Sequence, residues 1–155
     1  MSIEQRLAEL GLELPKAAAP VAAYVPCVEV NGLLHVSGQI SLDADGALIR
    51  GRLGETMDIE AGAAAAQRCG LMLIAQIGQA LGGDFDRVER IVKLGAFIAS
   101  TPDFTDQPKV ANGASELMVH VFGDKGRHAR SAVGVPVLPL GAAVEVDAII
   151  AIRPA

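Results

Sequence analysis

Two residues near the C-terminus, Arg130 and Glu145, could do chemistry that the rest of the chain would have to position. Arg130 stands at the mouth of the apolar run Ala129-Arg-Ser-Ala-Val-Gly-Val135, and Glu145 stands early in Val144-Glu-Val-Asp-Ala-Ile-Ile-Ala-Ile152. Both runs read as strands, turned around Leu138-Pro-Leu-Gly141. A guanidinium beside a hydrophobic wall is a fixed cation, and its planar fork suits a small carboxylate held in two parallel hydrogen bonds. The competing reading is an arginine that ends a strand in solvent and pairs weakly with a surface acid. A carboxylate at Glu145, if partly buried, is pushed toward neutrality and can serve as a general base. The competing reading is an outward-facing strand residue, since Glu145 and Asp147 alternate with Val144, Val146 and Ala148. His35, His120 and His128 have no spacing for a nucleophilic or zinc site and are assigned no chemistry. Gly82-Gly83 and Gly123 read as helix stops, because no Lys-Ser/Thr helix start follows them.

Local signals give the elements that must carry these residues. Ser2-Ile-Glu-Gln5 resembles a capping box, with Ile3, Leu7 and Leu10 on one helical face. This helix ends near Gly11, and residues 12–21, with Pro15 and Pro20, form a connector. Residues 22–30 and 33–41 predict a hairpin across Asn31-Gly32. Asp43-Ala-Asp-Gly46 is a second turn, leading to a short strand around Leu48. A long helix is predicted from about Ile59 to Leu81, capped by Asp58, with Gln67, Arg68, Gln76 and Gln79 on its wet side. A strand follows over Val88–Ala99, then a helix from about Lys109 to Phe122 with Pro108 at its first turn. The pattern is that of an α+β sheet of about six strands with two principal helices on one face. The strand 88–99 reads as apolar on both sides: Val92, Leu94, Ala96 and Ile98 on one, Ile91, Phe97 and Ala99 on the other. Two helices cover only one face, so the pattern predicts self-association.

Composition narrows the classes. A chain of 155 residues holds one domain with a real core, built from Ala, Val, Leu and Ile because only 3% of it is aromatic. No apolar run approaches a membrane span, so no membrane partner is expected. The N-terminus lacks a signal-peptide pattern, and Cys27 and Cys69 lack metal-ligand spacing. A cytoplasmic protein with reduced thiols and no metal is expected. A net charge of −5, scattered basic residues, one tyrosine and no tryptophan argue against a nucleic-acid partner.

Three segments, in order, resemble one family. Arg130-Ser-x-Val-x-Val-x-x-Leu-Pro139 followed by Val144-Glu-Val-Asp-Ala148 looks like the C-terminal signature of the YjgF/Rid proteins, the reactive-intermediate imine deaminases once labelled L-PSP endoribonucleases. Tyr24-Val-Pro-Cys-Val-Glu-Val-Asn-Gly-Leu-Leu-His-Val-Ser-Gly-Gln-Ile40 is similar to the family's N-terminal hairpin. Asp103-Phe104 and Asn112-Gly-Ala-Ser-Glu116 resemble the start of its second helix. The resemblance covers roughly residues 20–153, which divides the chain into an N-terminal helix and connector, 1–19, and a YjgF/Rid-like domain, 20–155.

The resemblance implies a chorismate-mutase-like fold and a homotrimer with clefts between subunits. It makes Arg130 the residue that grips the substrate carboxylate and Glu145 the one that activates water or moves protons. Tyr24, Ser37 and Asn112 match positions lining the cleft; by themselves a strand Tyr or Ser, or a first-turn Asn, is more often structural. The implied reaction is cofactor-free hydrolysis of enamine/imine intermediates, 2-aminoacrylate or 2-imino acids, to the 2-keto acid and ammonia. Three departures bear on it. The family commonly has Cys where this chain has Ala132, many members have glutamate where it has Gly134, and the loop before Asn112 is longer by Asp106-Gln107-Pro108. Two alternatives therefore stay open: a small-carboxylate binder or divergent hydrolase of the same family, and a non-enzymatic, stress-linked or chaperone-like trimer.

Overall fold

At Asn31-Gly32 the backbone takes the left-handed conformation at both residues, with φ of 50° and 76°, as a two-residue type I′ turn requires. The turn joins β1 (Cys27–Val30) to β2 (Leu33–Ile40). The structure, a computed structural model, describes residues 1–19 and 23–155. The expected start of the first strand at residue 22, and the connector's last residues 20 and 21, lie outside the described residues. The Ser2 capping box forms on α1 (Ile3–Ala8), the Ser2 hydroxyl accepting from Gln5 N–H at 3.1 Å and the Gln5 side chain accepting from Ser2 N–H at 2.8 Å. Asp58 caps α2 (Ile59–Ala80), its Oδ1 accepting from Ala61 N–H at 2.8 Å. Then come β3 (Val88–Ala99), α3 (Gln107–Phe122), β4 (Ala129–Val135) and β5 (Val144–Ile152).

The sheet runs β1-β2-β5-β3-β4, with β3 and β4 parallel and the other neighbours antiparallel. It has five strands, not about six. The stretch around Leu48 makes only an isolated bridge to Leu42, because the chain next turns to Ala142 and Ala143, through the bridge from Arg50 and the Ile49 carbonyl. Its backbone is shared between two partners, so no ladder grows.

Both long helices lie on one face. Leu71, Leu73, Ile74 and Ile77 of α2 pack in one core with Leu94 and Ile98 of β3 and Val146 and Ile150 of β5, and burial of side chains this size is worth roughly 1.5–3 kcal/mol each. The two helices touch main chain to main chain: a Cβ on Gly113 of α3 would stand 1.9 Å from the Ala63 carbonyl oxygen of α2. Helix α1 docks on α3 of its own chain. Leu7 is fully buried in the core, and the Arg6 guanidinium donates to the Val121 carbonyl at 3.1 Å.

Two face assignments change. Gln76, expected on the wet side of α2, is buried, because the 12–19 segment crosses the helix there; its amide donates to the Ala18 carbonyl at 2.8 Å and to Gln39 Oε1 at 3.4 Å. Ile91 faces the core with Leu94, Ala96 and Ile98, and Val92 is exposed. The cause is two breaks of register against β5, at Val88/Arg90 and Ile91/Lys93, each of which resets the alternation. The helix-free face is consequently mixed, carrying Lys93, Gly95 and Phe97 beside Ile149, Asp147 and Glu145, rather than wholly apolar.

Since the obstacle at Gly113 is backbone, Gly113→Ala should force α2 and α3 apart. A loss of about 3 kcal/mol or more in urea unfolding is expected, at the upper end of overpacking costs. A loss under about 1 kcal/mol would mean that the helices are not in main-chain contact.

Candidate functional site

Arg130 enters β4 paired with Leu94, a core residue, so its side chain shares the helix-bearing face. There α3 takes hold of it. Nη1 donates to Asn112 Oδ1 at 2.8 Å and to Ser115 Oγ at 3.1 Å, and Nη2 donates to the Pro108 carbonyl at 3.3 Å. All three acceptors are neutral, and among the described residues no carboxylate lies within ion-pairing distance of Arg130. A guanidinium has five N–H donors. Among the described residues three of these are engaged, all on α3, which leaves one N–H on Nε and one on Nη2, adjacent nitrogens suited to a carboxylate.

Ser115 leads on to a residue that the sequence reading left without chemistry. His128 Nε2 lies 2.8 Å from Ser115 Oγ, and Nδ1 lies 2.6 Å from the Gly126 carbonyl. Burial holds the imidazole below its ordinary value; the Gly126 bond opposes this, and the Arg130 charge adds to the lowering. A shift in this direction favours the neutral imidazole. Neither Ser115 nor His128 was expected here, although spacing carries a trace of both. Asn112 and Ser115 are three apart on one helical face, and His128 and Arg130 are two apart in extended chain.

Glu145 belongs to the opposite face of the sheet. Its flanking residues Val144 and Val146 are fully buried among the helices, while Glu145 is half-buried and pairs with Ile40 and Phe97. Its carboxylate reaches over Gly38, where a Cβ would stand 2.3 Å from Oε1. With Tyr24, Gln39, Leu140 and Met72 it lines a cavity of about 370 Å³. Burial, and secondly the Asp147 charge, raise the Glu145 pKa above its ordinary value. Ser37 lies beside this group, but its hydroxyl donates to the Val25 carbonyl at 3.2 Å and so secures the residue after Tyr24. One chain therefore brings Arg130 and Asn112 together on one face, and Tyr24 and Glu145 on the other. It does not bring Arg130 to Glu145.

Two of the departures at the strand bearing Arg130 are linked in space. Ala132 and Gly134 follow Arg130 on the same face, opposite Ala96 and Ile98. A Cβ on Gly134 would lie 2.5 Å from Ser100 Oγ and 2.7 Å from Gln107 Nε2. Gln107, the first residue of α3, is anchored by donating to the Phe104 carbonyl at 2.7 Å and sits over Gly134 in the space a side chain would need. Both residues line a cleft of about 440 Å³ with Ser100, Thr101 and Arg52. Neither cysteine lines the Arg130 or the Glu145 group, although the Glu145 charge reaches Cys69. Cys69 is fully buried and its thiol is pushed far up by burial; Cys27 is half-buried and also raised.

An α+β sheet with two helices on one face, an arginine on its edge strand and a half-buried glutamate on its central strand define the class. The profile of the family described as "YjgF/chorismate_mutase-like, putative endoribonuclease" matches residues 4–151, and the chain belongs to that family. Protein TCP17 of Trypanosoma cruzi is 50% identical over 149 residues, which covers 96% of this chain and 92% of its own. The crystal structure of Atu1372 from Agrobacterium tumefaciens, a protein of unknown function, is 44% identical and superposes with a TM-score of 0.92 over 97% of this chain and 92% of that one. A 2-iminobutanoate/2-iminopropanoate deaminase of Mus musculus is 29% identical over 135 residues, 86% of this chain and 84% of its own.

The raised Glu145 pKa has a consequence for stability. The folded carboxyl holds its proton more tightly than the unfolded one, so its contribution is fully present below about 4.5 and is lost as pH rises through the folded value. At pH 7 the ionised side chain opposes folding. Glu145→Gln should melt higher than the wild type at pH 7, and the gap should close as pH falls toward 4.5. A gap that does not change with pH would show that the carboxylate is not strained by its surroundings.

Proposed function

We propose that this protein hydrolyses enamine/imine intermediates, 2-aminoacrylate and the 2-imino acids, to the 2-keto acid and ammonia without a cofactor. The observation that carries this reading is the state of Arg130: a half-buried cation with no acid partner, whose Nε–Nη2 edge is left open while α3 occupies the rest. A small carboxylate neutralises it in two parallel bonds. The imine carbon is already electrophilic, so an anchored substrate needs mainly a placed water and a route for protons. Glu145, with its raised pKa, suits that task, and Tyr24 in the same cavity supplies a hydroxyl. The activity named for the Mus musculus relative is of this kind.

Because Arg130 and Glu145 face opposite sides of the sheet in one chain, a site that uses both requires two subunits. We therefore propose a homotrimer with the cleft between protomers, in the reducing cytoplasm that suits two free thiols. A second reading, a carboxylate binder or divergent hydrolase, is favoured by one observation. Ala132 offers no thiol, and beside Gly134, which offers no side chain, the cleft presents the amide of Gln107.

Light scattering should give about three times the chain mass; a monodisperse monomer would overturn the shared site. In a coupled assay of 2-imino acid hydrolysis, Glu145→Gln should lose roughly 10²–10⁴-fold while keto-acid binding changes little. Arg130→Lys should weaken pyruvate binding measured by calorimetry, and Arg130→Ala should weaken it further. Keto-acid binding through Arg130 with no hydrolysis of any imino acid would select the second reading.

A further inference from the structure

We infer that Ser115 and His128 are positioning residues for Arg130, which turn its guanidinium so that the Nε–Nη2 edge faces the incoming carboxylate; this rests on the carboxylate reading above. The argument is one of hydrogen-bond direction. A guanidinium can only donate, so toward Nη1 the Ser115 oxygen must accept. The hydroxyl proton then has to leave in another direction, and His128 Nε2, at 2.8 Å, receives it. Nε2 can accept only if the ring proton is on Nδ1, and there the Gly126 carbonyl, which can only accept, waits at 2.6 Å. Every link is thus oriented: Arg130 donates to Ser115, Ser115 to His128, and His128 to Gly126.

The far end of this chain of bonds is rigid. A Cβ on Gly126 would stand 2.1 Å from the Met118 carbonyl, so the turn preceding β4 is pressed against the main chain of α3. That helix also carries Asn112 and Ser115. The network therefore closes on itself, running from α3 to Arg130 and back through His128 to α3. With both protons of Nη1 committed to Asn112 and Ser115, the guanidinium cannot rotate to offer that nitrogen, and the open edge is the one that remains. His128 touches no ligand in this scheme; it acts through Ser115.

Nitrogen-15 NMR on the intact protein at pH 7 tests the direction of the bonds. His128 is expected as the Nδ1–H tautomer, with slowly exchanging Arg130 Nη1 protons; an Nε2–H tautomer overturns the proposal. In Ser115→Ala and His128→Ala the Arg130 Nη1 protons should exchange faster and the side chain should be less ordered, held only by Asn112 and Pro108, and pyruvate affinity should fall about tenfold, the size of one bond to a charged group. Ser115→Thr and His128→Gln, which keep a hydroxyl and an acceptor, should restore most of both. Wild-type Arg130 signals in both alanine variants overturn the proposal. If the wild type binds no pyruvate but its Arg130 is ordered and is freed in Ser115→Ala, the positioning role stands and the carboxylate reading falls.

Discussion

The contact between Gly113 and the Ala63 carbonyl sets the height of α3, and the site is arranged around it. Any side chain at Gly113 would lift the helix from α2. The residue before it, Asn112, and the one two beyond, Ser115, point instead to β4, where they meet Arg130 within hydrogen-bond distance. Glycine on one face and two short polar residues on the other let a single helix rest on its neighbour and steer a cation on an edge strand. Hydrogen bonds weaken steeply with distance, so a shift of α3 that the core could absorb would still release Arg130.

Features whose cause is local were legible in the sequence. The Asn31-Gly32 hairpin, the Ser2 capping box and the Asp58 cap each depend on residues within a few positions, and each forms where its signal stands. Features imposed from a distance were not. Ile91 lies on the core side because pairing with β5 breaks the register of β3, and no residue near Ile91 announces that. Gln76 is buried by a connector 58 residues away. In the candidate site, Arg130 and Glu145 drew notice through their chemistry and Asn112 through its place in a motif. The Ser115–His128 bond joins residues 13 apart that meet only when a turn folds against α3.

Ser37 shows how a site position can keep its place in the fold while its hydroxyl serves the backbone. Its hydroxyl is taken up by the Val25 carbonyl, while Tyr24 and Glu145 line that cavity. Gly134 shows the converse. The space beside it is filled by Ser100 and Gln107, residues 34 and 27 positions earlier in the chain that meet it only in the fold. A side chain restored at Gly134 alone would meet an occupied space.

The strand order also constrains how the molecule is made. β5 is the last strand in the sequence and the middle one in the sheet, standing between β2 and β3, which do not pair with each other. A nascent chain can form the β1–β2 hairpin early, and the β3–α3–β4 unit later, as two separate pieces. They become one sheet only when residues 144–152 insert between them. Glu145 arrives with that closing strand. Arg130 and Glu145 thus take their places by different events, the one when β4 lies parallel along the edge of β3, the other when β5 enters between two strands and becomes the middle of the sheet.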